Sequence, residues 1–190
     1  MKDPKPGEFE KEDLASIAAG EPEAVDAWFR REHPQVHRLC FGFLANAAEA
    51  EDASQDAMLH LLDHLHQFDP ERPYAAWRTT VVLNLCRSRR RSSTARQVAE
   101  DSAALLRSEP QPDTASVVQQ AEVRLVLQQS LEKLSPRERE AFVLRDLEGN
   151  PTEEVADCMG VEPATVRSLL TLARRRLRGF LERRLGAVDA

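Results

Sequence analysis

Glycine is scarce in this chain, seven in 190 residues, while Ala, Leu, Arg and Glu abound, a balance that favours helix over sheet. The expectation is an all-α fold with essentially no strand. Cysteine is rare as well. Cys40, Cys86 and Cys158 are odd in number, far apart and outside any CxxC pair, so they signal neither a disulfide framework nor a zinc site and read as small core thiols. No apolar run approaches the ~20 residues that cross a bilayer, and Met1–Leu14 is polar and acidic, so no membrane insertion is expected and the chain is assigned to the cytoplasm. Catalytic signatures are missing too: there is no Gly-rich phosphate loop, nucleophile elbow or cysteine pair. His60 and His64 stand four apart with His66 close by, a spacing able to hold a metal on one helix face, but the glutamate of a metalloprotease HExxH is absent. The chain is read as no enzyme, with no metal site and no cofactor.

The net charge of −6 speaks against nucleic acid until it is resolved along the chain. Met1–Cys86 carries 8 basic and 16 acidic residues, a net −8. Arg87–Arg96 is then +5, Gln97–Glu122 is −4, Val123–Val166 is −4 and Arg167–Ala190 is +5. Two basic blocks stand in an otherwise acidic protein. Phosphate attraction acts through clustered Arg and Lys and not through overall pI, so the pattern suits two local contacts with nucleic acid.

Periodicity divides the chain into a tail (1–12), a helical domain (13–96), a flexible acidic linker (97–116) and a second helical domain (117–190). In the first domain, apolar residues recur at three- and four-residue steps in Ala24–Phe29 and Val36–Leu44, with Pro22 and Pro34 as expected breaks. Ala53, Ala57, Leu61, Leu65 and Phe68 form one stripe of a long amphipathic helix. After Asp69-Pro-Glu-Arg-Pro73 the helical pattern resumes with Trp77, Val81 and Leu85, an apolar stripe that marks Trp77 as core, and leads into the arginine block. The linker gathers Pro110, Pro112, acids and small residues.

In the second domain, Val123, Leu127, Leu131 and Leu134 are spaced to share a face. Ser135-Pro-Arg-Glu138 has Ser at N-cap, Pro at the first helical position and Glu at the third, a capping box. Gly149-Asn-Pro151 is a turn, Thr152 a candidate cap, Gly160 a tight corner and Pro163 the start of a last helix to about Leu185. Two helices meeting at a short Gly-containing turn make a helix-turn-helix.

The tract Leu134-Ser-Pro-Arg-Glu-Arg-Glu-Ala-Phe-Val-Leu-Arg-Asp-Leu-Glu-Gly149, with Glu153-Glu-Val-Ala, Ala164-Thr-Val-Arg-Ser-Leu-Leu170 and Ala173-Arg-Arg-Arg-Leu177, resembles the fourth conserved region of extracytoplasmic-function sigma factors. LuxR-type DNA-binding domains share its opening. The first half separates the two: Glu21-Pro-Glu-Ala-Val-Asp-Ala-Trp-Phe29, Ala48-Glu-Ala-Glu-Asp-Ala-Ser-Gln-Asp56, Phe68, Ala76-Trp77 and Asn84 before an arginine run resemble the second conserved region of the same family, in the right order.

That resemblance implies a non-enzymatic sigma factor that binds core RNA polymerase, at the clamp of the largest subunit and the flap of the second, and directs it to promoter DNA. An anti-sigma factor is the expected regulatory partner. Asp52, Gln55 and Asp56 would dock on the polymerase; the carboxylates lie four apart on one helix face, suited to a basic surface. Asn84, Arg87, Arg89, Arg90 and Arg91 would contact the −10 side of the promoter, as a cluster, since not all can face DNA at helical spacing. Ala164, Thr165, Arg167 and Ser168, early in the last helix, would reach base edges on the −35 side, with Arg174 and Arg175, and beyond them Arg176 and Arg178, serving phosphates or the polymerase. The acidic linker would thread toward the polymerase's RNA path. Ser88, Leu169 and Leu172 stand where the family commonly has Asp and basic residues, and Glu162 where a Ser or Thr cap is usual. The changes at Ser88, Leu169 and Leu172 favour, as a rival reading, a sigma mimic that binds an anti-sigma factor or polymerase without reading promoters; a LuxR-type regulator is a second rival, against which the residues from Ala48 to Asp56 argue.

Overall fold

In a computed structural model, residue 9 and residues 11–100 and 115–186 are described, and every regular element among them is helical. The N-terminal unit comprises α1 (Lys11–Ala18), α2 (Pro22–Leu44), α3 (Ala47–Asp63), a 3-10 turn (Leu65–Gln67) and α4 (Tyr74–Glu100). The C-terminal unit comprises α5 (Ala115–Glu132), α6 (Pro136–Phe142), which runs into a π turn (Val143–Leu147), α7 (Thr152–Met159) and α8 (Pro163–Gly186). The middle of the expected linker, 101–114, lies outside the described residues, whereas 97–100 close α4 and 115–116 open α5.

Pro34 does not break the chain as expected: α2 continues through it. A proline ring costs the carbonyl four residues back its donor. Here that carbonyl belongs to Arg30, on the exposed side, where water can satisfy it. Glu32, Val36, Leu39, Cys40 and Phe43 on the other side are buried and hold both halves in line. Pro22, by contrast, sits at the helix start, where its missing N–H costs nothing.

Asn46 caps α3 by accepting from Glu49 N–H at 3.0 Å, and Ala45, in the left-handed region at φ 54°, makes the corner from α2. Ala53, Ala57 and Leu61 fill the α3 seam with fully buried side chains, and Leu65 continues it from the 3-10 turn. The small alanines let α2 approach closely. Across this core, Glu32, 0 % exposed, accepts from Arg78 of α4 at 2.7 Å, and the Trp28 indole donates to the Tyr74 hydroxyl at 3.0 Å. Burial raises the Tyr74 phenol far above its usual range, keeping it neutral. Cys40 and Cys86 are buried in the same core; Cys158 is half-buried.

The expected capping box is present: Ser135 Oγ accepts from Glu138 N–H, and the Glu138 carboxylate accepts from Ser135 N–H at 2.8 Å. Thr152 is not a cap. Pro151 holds the N-cap position and Thr152 is the first helical residue, because the extended backbone that proline adopts already turns the chain into the helix. Gly160, at φ 66°, ends α7, and Val161 N–H bonds back to Ala156 O at 3.0 Å, closing a Schellman-type stop. Three residues later α8 begins. Of the α5 face, Leu131 is buried, as is Leu134 just beyond the helix, whereas Val123 and Leu127 are exposed.

Candidate nucleic-acid interface

The acidic face of α3 is built by exclusion. Ala50, Ala53, Ser54, Ala57 and Met58 point inward, which leaves Asp52, Gln55 and Asp56 exposed together. Leu59 shares their side of the helix at the next turn and is 62 % exposed. Sequence reasoning overlooked it, although its spacing from Asp52 and Asp56, seven and three residues, was a usable signal. Asp56 is ion-paired with Arg89 of α4, and Arg89 also donates to Asp52 O at 3.3 Å.

The arginine block on α4 is divided among partners. Arg87 donates to Glu140 of α6 through both Nε (3.2 Å) and Nη2 (2.7 Å), and Arg90 reaches the same carboxylate at 3.3 Å. Arg89 turns to α3 instead. Asn84 and Arg91 are exposed. Helical spacing therefore splits the cluster three ways. Trp77 packs at a tilt against Phe68 and Tyr74, with ring centroids 5.4 and 5.5 Å away, and is half-buried.

Glu140 is a carboxylate with 1 % side-chain exposure. Burial alone would raise its pKa, but hydrogen bonds and charge from Arg87 and Arg90, with Arg137 at 3.3 Å, outweigh burial and hold it below the usual glutamate value.

On α8, Val166, Leu170 and Ala173 are buried, so Ala164, Thr165, Arg167 and Ser168 face outward on the first turns. Thr171 extends that face by one turn, a residue the sequence reading left out. Ser168 and Thr171 hydroxyls donate back to Ala164 O and Arg167 O at 3.0 and 2.9 Å, which leaves their oxygens as acceptors. Arg167 lies 3.6 Å from Glu153 of α7. Arg174 is held by Asp146 in a bidentate pair, 2.9 and 2.7 Å, which raises its pKa, and Arg176 is 3.4 Å from Glu138. Arg175 and Arg178 are exposed. Leu169, where a basic residue was expected, packs against the core.

His60 of α3 stacks on His64, the residue that caps the helix: their rings lie 3.9 Å apart, and His64 Nδ1 is 2.9 Å from His60 O. Among the described residues no helix is long and apolar enough to cross a membrane.

Residues 28–96 match the family model for Sigma-70 region 2, and residues 124–177 match that for Sigma-70, region 4. The chain is 34% identical over 180 residues to the ECF RNA polymerase sigma factor SigM of Mycobacterium tuberculosis, covering 92% of this chain and 87% of that one. Among solved structures it resembles the sigma factor RpoE of Bartonella quintana in complex with the anti-sigma factor NepR (TM-score 0.66, 20% identity, 90% and 96% of the two chains). CnrH in complex with the cytosolic domain of CnrY is similar in the same degree (TM-score 0.63, 23% identity, 90% and 96%). These two likenesses concern the fold. Two exposed faces of opposite charge on a pair of helical units, one ending in a helix-turn-helix, are thus joined by region matches in both halves: the chain belongs to the extracytoplasmic-function sigma factors of the sigma-70 family, non-catalytic factors that direct RNA polymerase to start transcription at promoters.

Proposed function

We propose that the two conserved regions divide the work by residue as follows. Asp52, Gln55 and Asp56 dock on the basic clamp of the largest polymerase subunit, and Leu59 supplies the apolar contact beside them. Asn84, Arg87, Arg89, Arg90 and Arg91 engage the −10 side of the promoter. Ala164, Thr165, Arg167 and Ser168 read base edges on the −35 side; Arg175 holds phosphate, and Arg174, paired with Asp146, adds a weaker phosphate contact beside it. The observation that supports this division best is the exposed carboxylate face of α3, beside which the exposed Leu59 can be desolvated at an interface.

The helix-turn-helix unit meets the flap of the second subunit, and the protein works in the cytoplasm, where polymerase is. An anti-sigma factor is the natural regulator; the Bartonella quintana relative was crystallised with one. The acidic linker threads toward the polymerase's RNA path.

Run-off transcription with purified core polymerase tests the whole reading. Wild-type protein yields transcripts from a subset of genomic promoters, and Asp52→Ala/Asp56→Ala yields none while keeping its helicity. Polymerase binding without any transcript from a genomic template library points to a sigma mimic instead.

A further inference from the structure

Where the two helical units touch, polar groups are spent on one another: Glu140 on Arg87 and Arg90, and Arg139 on Leu44 O at 3.0 Å and Phe43 O at 3.4 Å. The end of α3 is different. Beyond Asp52, Asp56 and Leu59 the helix runs into three imidazoles, His60, His64 and His66, which neither the polymerase face nor the DNA face uses.

The chain has five histidines, in two arrangements. On α2, His33 and His37 stand four apart, but their rings are 6.2 Å from one another and both Nε2 atoms are engaged. Ser54 Oγ donates to Glu51 O at 2.8 Å, so its oxygen is left to accept from His33 Nε2 at 3.4 Å. His37 Nε2 faces the Glu51 carboxylate at 3.4 Å. His60 and His64 also stand four apart, with rings only 3.9 Å from one another. His60 is exposed and His64 half-buried. A carbonyl only accepts, so His64 Nδ1, 2.9 Å from His60 O, carries the ring proton and Nε2 keeps its lone pair. A carbonyl behind one ring nitrogen is the outer support that orients a histidine toward a metal on the other. His66 has such a support in Asp63 O at 2.9 Å, but Gln67 Nε2 lies 3.3 Å from its second nitrogen and its ring is 6.3 Å from that of His64.

We propose that His60 and His64 are the two protein ligands of a site for a divalent cation of the imidazole-preferring class (nickel, zinc or copper), and that the bound ion weakens docking on the polymerase clamp. Two imidazole nitrogens that share an ion at about 2.0–2.1 Å stand about 3.3 Å apart in tetrahedral geometry, which rings already in contact reach by a small tilt. Among the described residues no three metal-ligating side chains converge, so water completes the coordination shell. Magnesium, which prefers oxygen ligands, does not compete. His60 lies one turn beyond Asp56 and next to Leu59, so the ion adds two positive charges beside a face suited to a basic surface. This effect on docking rests on the reading of Asp52 and Asp56 as the polymerase contact.

The test uses the untagged full chain. Isothermal titration calorimetry with nickel chloride, and in parallel with zinc and magnesium chloride, reads the site. Fluorescence anisotropy of labelled chain titrated with core polymerase at low salt, with and without saturating nickel, reads docking. Wild type is expected to take one nickel or zinc ion with micromolar affinity and no magnesium. His60→Gln/His64→Gln binds nickel at least about tenfold more weakly, the low end of what lost outer supports cost at metal sites, whereas His33→Gln/His37→Gln and His66→Gln bind it as wild type does. Nickel-loaded wild type docks about fourfold more weakly, the factor that a doubly charged ion about 10 Å from a clamp cation produces in water. The double variant at positions 60 and 64 docks equally with and without nickel, which also controls for nickel acting on the polymerase itself. Absence of nickel binding by wild type, or binding that survives loss of both histidines, overturns the site; an unchanged docking affinity at saturating nickel overturns its effect. Should the double variant lose its helical circular dichroism, His60→Gln alone decides. Failure of wild type to bind polymerase with or without nickel, while calorimetry still depends on His60 and His64, refutes the docking assignment and leaves the site standing.

Discussion

Arg89 of α4 rests its guanidinium on the carboxylate of Asp56 of α3, joining the face assigned to polymerase with the segment assigned to DNA. In the proposed docking, a basic clamp competes with Arg89 for Asp56, so engagement at one face would release a cation at the other. Asp56→Asn is expected to weaken polymerase association while raising affinity of the free protein for single-stranded DNA. Titrating one variant against both ligands checks the opposite signs. A loss at both faces refutes the competition.

The buried pair Glu32–Arg78 ties α2 to α4 inside the first core. Removing Arg78 takes its 2.7 Å partner from a fully buried carboxylate that keeps Arg31 at 3.9 Å, so Arg78→Ala is expected to cost up to about 3–5 kcal/mol, whereas the double change Glu32→Leu/Arg78→Met is near neutral. Urea denaturation of both variants measures the difference. The pair then sets register between helices more than it adds stability.

Arg174 and Arg175 are neighbours in sequence with different obligations. Arg174 is committed to Asp146 by two bonds, and Arg175 is exposed. Arg175→Ala is expected to lower the salt slope of −35 duplex binding by the holoenzyme by about one. Arg174→Ala should change that slope less and, as an exposed ion pair, alter stability by at most about 1 kcal/mol. Log–log salt titrations separate the two.

Glu140 also carries a pH dependence. Arg87, Arg90 and Arg137 surround its carboxylate, and Arg139 and Cys158 lie nearby. Its pKa in the folded protein is lower than in the unfolded chain, so its contribution to stability is complete above the ordinary glutamate value of 4.5 and is lost as pH falls further, through the depressed value. The stability that this group adds, read from urea midpoints, is therefore expected to stay constant from about pH 8 down to about pH 5 and to fall below that. In Glu140→Gln the onset attributable to this group disappears.

Much of the architecture was legible because it is written in local chemistry. The capping box at Ser135 and Glu138, the corner at Gly160 and the alanine seam of α3 each declare themselves within a turn or two of helix. Pro34 and Thr152 misled for the complementary reason: burial on the far side of α2, and the backbone set by Pro151, override a local preference. The carboxylate face at Asp52 and Asp56 was readable from spacing, and Leu59 could have been added by the same rule. Glu140 could not. Besides Arg137 three residues before it, its partners lie 50 and 53 residues away, and a glutamate on a helix carries no mark that its charge is spent on another unit. For the same reason the arginine block read as a single cluster, whereas Arg87 and Arg90 answer to α6 and Arg89 to α3.

The Arg139 fork reaches main-chain oxygens of residues 43 and 44, which every residue type supplies alike. Those positions can drift over generations without a compensating replacement at the arginine. The seam between the halves can thus be inherited as backbone shape, and correlated substitution, the usual trace of touching residues, would be silent at this contact.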